Sequence, residues 1–186
     1  MYFKKICFAT ILSLGLLHAE SSIGLNINDE DIEVSASIDL NALTYYSDST
    51  SYTIDASYLH TDGDDLVALG VSAENTFQGL QGLALGLGIK SVFADDYVAI
   101  PFFAKARYTL PFYSIPTTSL ATSFAYAPSV LTFSDGESYT EFRAEANMEV
   151  INNVHLFAGY RNIHTEYDTN DVTFNNSFYG GMKLSF

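Results

Sequence analysis

The sequence predicts an all-β protein, a transmembrane antiparallel up-and-down β-barrel, and three observations predict it. Apolar and polar residues alternate with a period of two along nearly the whole chain after residue 20, which is the pattern of strands with two unlike faces. An export segment precedes them. No convincing helical period is present to cover the apolar face, so that face needs a closed sheet and an apolar surrounding.

The export segment is read over residues 1–19: Lys4 and Lys5, the apolar run Ile6 to Leu17, then Leu17-His18-Ala19 before Glu20. Its apolar run is well short of the ~20 residues a membrane-spanning helix needs. Residues 20–186 then form one barrel domain, about one domain's worth of chain. Cys7 lies inside the segment, too early for lipid attachment, and the mature chain keeps no cysteine for disulfides or thiolate metal sites. Of the basic residues, six remain against all 22 acids. Such a chain cannot neutralise phosphates, which excludes nucleic acid as a partner.

In order, a short first strand carries Ile23, Leu25 and Ile27 on one face, and Asn28-Asp29-Glu30-Asp31 turns the chain. Ile32, Val34, Ala36 and Ile38 share the apolar face of the second strand, and Tyr52, Ile54, Ala56 and Tyr58 that of the third. Asp62-Gly63-Asp64-Asp65 is a hairpin signal. Val67, Leu69 and Val71 follow in the fourth strand and Leu83, Leu85, Leu87 and Ile89 in the fifth. The sixth alternates from Val98 to Tyr108, with Pro101 removing a ladder donor and predicting a bulge. Leu120, Phe124 and Tyr126 mark the seventh, Phe142, Met148 and Val150 the eighth, and Val154, Leu156 and Tyr160 the ninth. The last strand places Phe174, Phe178, Met182, Leu184 and Phe186 together, with Asn176 and Gly180 as exceptions.

Ten strands are therefore expected, where about 9 to 11 residues suffice for each to cross. An even number brings both termini to one side of the membrane. Eight strands, with the first hairpin folded elsewhere, is the alternative.

A soluble barrel would carry long charged side chains outside, yet the polar face here is mostly Gly, Ala, Ser and Thr. Small residues suit a narrow interior, so the apolar face is assigned to lipid. Every basic residue of the mature chain, Lys90, Lys105, Arg107, Arg143, Arg161 and Lys183, falls on the polar face with Glu33, Asp39, Asp55, Glu74, Glu141, Glu145 and Glu149. Enclosed charges should pair, because isolated ones are costly. Tyr52, Phe77, Tyr108 and Phe112 at one end and Tyr58, Phe93 and Phe174 at the other read as interfacial belts.

The connections on one side hold acids and no base: Asp29, Glu30, Asp31, Asp62, Asp64, Asp65, Asp95, Asp96, Asp135, Glu137, Glu166, Asp168 and Asp171. With Phe186 on the periplasmic side, this acidic rim faces the exterior of a Gram-negative cell.

Phe124-Ala125-Tyr126-Ala127-Pro128, Gly159-Tyr160-Arg161-Asn162-Ile163 and the closing Tyr179-Gly180-Gly181-Met182-Lys183-Leu184-Ser185-Phe186 resemble the YfaZ-type family of bacterial outer-membrane proteins. The resemblance implies a barrel and an outer-membrane location but no established activity. It also implies a partner, the barrel-assembly machinery, reading a terminal signal at Phe178, Met182, Leu184 and Phe186.

For chemistry, Asp62, Asp64 and Asp65 are the densest acidic cluster and a candidate for a weakly held divalent cation, bridging to lipopolysaccharide. His60 and His164 fall on the lipid register, which argues against a rim hydrolase, and His155 is inward near a turn. No catalytic residues and no cofactor are expected. Ten strands lie nearer a filled interior than a water channel. The expected role is structural or surface-interaction, with membrane lipids as partners; a small porin or channel is the alternative.

Overall fold

The computed structural model describes residues 21–41, 50–61, 64–95, 97–112, 115–134, 136–167 and 171–186; the export segment predicted for 1–19 lies outside them. The strands are β1 (Ser22–Ile27), β2 (Asp31–Asp39), β3 (Thr50–Thr61), β4 (Asp64–Thr76), β5 (Leu83–Ala94), β6 (Tyr97–Ala99), β7 (Phe102–Thr109), β8 (Thr118–Ala127), β9 (Thr132–Ser134), β10 (Gly136–Ile151), β11 (Val154–Tyr167) and β12 (Asp171–Ser185). Neighbours pair antiparallel in the order β4-β3-β2-β1-β12-β11-β10-β8-β7-β5, and β4 pairs with β5 to close the ring. Ten strands thus form the wall, with β6 and β9 a paired extension of it.

Closure depends on the shortest strand. β1 pairs with β12 from Ser22↔Ser185 to Ile27↔Gly180 and with β2 on its other edge. Ser21 and Phe186 then exchange backbone hydrogen bonds of 3.2 and 2.9 Å at the end of the seam. Both termini of the wall therefore lie together at one end, called here the terminal end; the acidic connections lie at the other, the hairpin end. The ten-strand expectation holds and the eight-strand alternative does not, because the ring cannot close without β1.

The outer face is apolar. Leu25, Ile54, Leu69, Leu87, Phe124 and Leu156 all point outward and are exposed, Leu87 by 71%. Around a wall whose backbone groups are paired, that surface is suited to hydrocarbon. Asn176, a polar exception on this face, is satisfied there: the Tyr160 hydroxyl donates to its Oδ1 at 2.7 Å.

Two expectations need correction. Pro101 causes no bulge against β5, since Val92↔Ala99 and Ile89↔Phe102 continue one register. The irregularity is on the next strand, at Pro128, where the 3-10 turn Ser129–Leu131 separates β8 from β9. The Leu131 amide donates to the Pro128 carbonyl and the Ile100 amide to the Leu131 carbonyl, both at 2.8 Å, so the interruption leaves these groups bonded. Second, Phe174 does not face lipid. Register shifts between Ile163↔Asn175 and His164↔Thr173, making Phe174 the extra residue of a bulge. Its side chain is 8% exposed and packs in the interior.

Candidate functional site

The lumen is built in three layers. Toward the hairpin end, Leu59, Leu66, Val92, Tyr97, Tyr139, Ile163 and Phe174 form one buried apolar cluster. Tyr97 stacks obliquely on Tyr167 with ring centroids 5.3 Å apart and donates its hydroxyl to the Ser138 carbonyl at 2.8 Å. This plug was not anticipated from sequence. Its signal was present, because Leu59, Val92 and Ile163 continue the inward parity of Ser57, Lys90 and Arg161.

Beneath the plug lies a charge network. Arg143 grips Glu33 with Nη1 to Oε2 at 2.9 Å and Nη2 to Oε1 at 2.8 Å, while its Nε donates to Glu141 Oε1 at 2.6 Å. Arg161, 0% exposed, donates to Glu33 through Nη1 and to Asn175 Oδ1 through Nε at 3.0 Å. Lys90 and the Tyr139 hydroxyl both donate to Glu141 Oε2. The Arg161 guanidinium also sits 5.4 Å from the Tyr179 ring centroid. Such mutual satisfaction is what makes buried charges tolerable, and here it joins β2, β5, β10 and β11 across the lumen.

Nearer the terminal end, Lys105 and Arg107 both pair with Glu74, Lys105 at 3.5 Å. Gly86 makes this reach possible: a Cβ there would lie 2.8 Å from Lys105 Cε and 2.9 Å from the Ala73 carbonyl. Glu145 accepts from Asn147 and from the Tyr179 hydroxyl, the latter at 3.3 Å, with Lys183 3.9 Å away.

Four charged residues depart from expectation. Asp31 belongs to the lumen and not to the rim. It is 3% exposed and 3.4 Å from Arg161 Nη2, because β2 begins at Asp31 and puts it on the same face as Glu33. Glu149 accepts the Asn153 amide at 3.3 Å and so caps the β10–β11 turn instead of joining the network. Asp39 and Asp55 do face the lumen, but their partners are not cations. Asp39 accepts from the Asn41 amide at 2.7 Å and the Ser51 hydroxyl at 3.1 Å, and Asp55 from the Thr53 hydroxyl at 3.4 Å.

At the hairpin end, Asp29, Glu30, Asp64, Asp95 and Glu137 are exposed, whereas Asp62, Asp96, Asp135 and Asp168 lie outside the described residues. The Asp62, Asp64 and Asp65 candidate is thus only partly described. Asp65 itself is engaged on the outer face, accepting from the Tyr58 hydroxyl at 2.7 Å with His60 Nδ1 at 2.8 Å. No group of three His, Cys, Asp or Glu among the described residues is arranged to hold a metal ion. His164 also lies on the outer register, 3.3 Å from the Thr173 hydroxyl. The expected assembly residues Phe178, Met182, Leu184 and Phe186 are all exposed along β12.

A sequence profile described as YfaZ precursor matches residues 3–186. No curated protein matches the chain. Among solved structures the chain is similar to a bacterial polysaccharide outer membrane secretin, at 10% identity and a TM-score of 0.49, over 89% of this chain and 69% of that one. It is similar also to the NanC porin, at 9% identity and a TM-score of 0.47, over 89% of this chain and 98% of that one.

Proposed function

This chain belongs to the YfaZ family, and from that premise and a lumen closed by its apolar layer we propose that it serves the outer membrane as a structural or surface-interaction barrel and not as an open pore. One observation carries the reading. The apolar cluster around Leu59, Tyr97, Tyr139 and Phe174 lies across the lumen directly above the Glu33–Arg143–Glu141 network, with Arg161 fully buried between them. A hydrated ion would have to part a packed apolar layer and then a set of mutually satisfied charges.

The acidic hairpin end faces the cell exterior in this proposal. Exposed Asp29, Glu30, Asp64, Asp95 and Glu137 meet the anionic lipopolysaccharide through divalent cations, while the β12 edge is offered to the assembly machinery during insertion. No reaction is assigned to the protein.

Planar-bilayer recording tests the proposal. The unaltered barrel should show no steady conductance, and a Leu59→Gly/Phe174→Gly variant should leak. A reproducible open pore in the unaltered protein would replace this reading with that of a small porin.

A further inference from the structure

The polar half of the lumen is not filled. A cavity of about 480 Å³ runs from Glu33, Glu141 and Arg143 to Ser22, Asp39 and Lys183 at the terminal end. That volume lies within the ~300–1,000 Å³ of small-molecule sites, and with the plug above it the space is a blind pocket.

Its two sides carry opposite charge. On β2 and β3, Asp39 and Asp55 stand among Ser35, Ser37, Ser51 and Thr53. No Lys, Arg or His nitrogen of the described residues comes within 4.0 Å of either carboxylate. On β7, three strands from β3 and four from β2 in the ring of ten, Lys105 and Arg107 share the single carboxylate of Glu74. Lys183 reaches no carboxylate closer than 3.9 Å. One wall has an unmatched negative surplus and the other a positive one. Low-dielectric walls concentrate such a field within a cleft.

We propose that this cavity binds a small zwitterion of the amino acid or short peptide class. The ligand's ammonium is held by Asp39 and Asp55 and the surrounding hydroxyls, and its carboxylate by Lys105 and Arg107, where guanidinium geometry suits a carboxylate. A dication would meet the basic wall and a dianion the acidic wall, so each would bind less well. The inference goes beyond the closed-lumen reading and needs neither it nor the acidic rim.

Isothermal titration of the mature barrel, folded in detergent, tests it with three probes: alanyl-alanine, cadaverine and succinate. The dipeptide should bind saturably and the single-sign probes about tenfold more weakly or worse. Asp55→Asn and Arg107→Gln, both at partly exposed positions, should each weaken the dipeptide by about tenfold while heat-modifiable gel migration shows the barrel intact. No saturable heat with the dipeptide at about 10 mM, equal binding of cadaverine or succinate, or binding indifferent to both substitutions would each overturn the proposal. A barrel that conducts yet binds the dipeptide through these residues would sink the closed-lumen reading and support this one.

Discussion

Arg143 of β10 and Glu33 of β2 meet across the lumen through two parallel hydrogen bonds of 2.9 and 2.8 Å, although β11, β12 and β1 separate their strands around the wall. Because Arg143 also holds Glu141, its removal leaves two nearly buried carboxylates short of a partner. Arg143→Ala should therefore destabilise the folded barrel by about 3–5 kcal/mol. Arg143→Lys should recover only part of this, since an ammonium cannot reproduce the paired geometry. Urea unfolding in lipid vesicles measures both, and a loss within about 1 kcal/mol for Arg143→Ala would show that the network is incidental.

Neighbouring glycines on β12 should respond unequally to the same change. A Cβ on Gly181 would sit 2.3 Å from the Leu25 carbonyl and 2.4 Å from the Phe157 ring, at the β1–β12 seam. One on Gly180 would meet only the Phe157 carbonyl, at 3.7 Å. Gly181→Ala should cost about 1–3 kcal/mol, whereas Gly180→Ala should be nearly neutral. The temperature at which folded gel migration is lost compares them. Equal behaviour would mean that the seam yields more readily than its register implies.

Phe174 and Phe178 share one parity in the sequence but not one environment. The bulge turns Phe174 inward, while Phe178 remains 79% exposed on the outer face. The chain contains no tryptophan, so one introduced residue reports its own surroundings. Phe178→Trp fluorescence should be strongly quenched by brominated lipid, and Phe174→Trp fluorescence should not. Comparable quenching of both would restore the uninterrupted strand.

That pair also marks where the alternation stops reporting the face. The barrel, its ten strands and the inward register of the charged residues were legible because a period of two leaves each strand one choice of face, and the choice is visible wherever Leu85, Leu87 and Ile89 alternate with Gly and Lys90. Where the backbone leaves the period, at Phe174 and beyond Pro128, the alternation no longer reports the face. In sequence Asp31 reads as a turn residue because it follows Asp29 and Glu30, yet the Asn28 side chain bonds it from within that turn and β2 starts at Asp31. The plug was hidden differently. Leu59 and Ile163 have the inward parity, but an apolar residue on a polar face reads as noise until its neighbours around the ring are known.

Orientation is the last prediction. The connections at the terminal end span 40–49, 77–82, 110–117 and 152–153, and those at the hairpin end 28–30, 62–63, 95–96, 135 and 168–170. Outer-membrane barrels commonly keep their short turns in the periplasm, which taken alone would put the acidic end inside. The closure of the wall argues the other way, because the wall of an even-stranded outer-membrane barrel starts and ends on the periplasmic side, and here Ser21 and Phe186 meet at the terminal end. The terminal end, with both chain ends and the longer connections, then lies in the periplasm. Cysteine scanning decides it, since Cys7 within the expected export segment is the sole native cysteine. Asp29→Cys and Glu137→Cys should react with a membrane-impermeant maleimide on intact cells, and Asn153→Cys only after the outer membrane is opened. The reverse pattern would place the acidic end in the periplasm and turn the mouth of the charged cavity toward the outside.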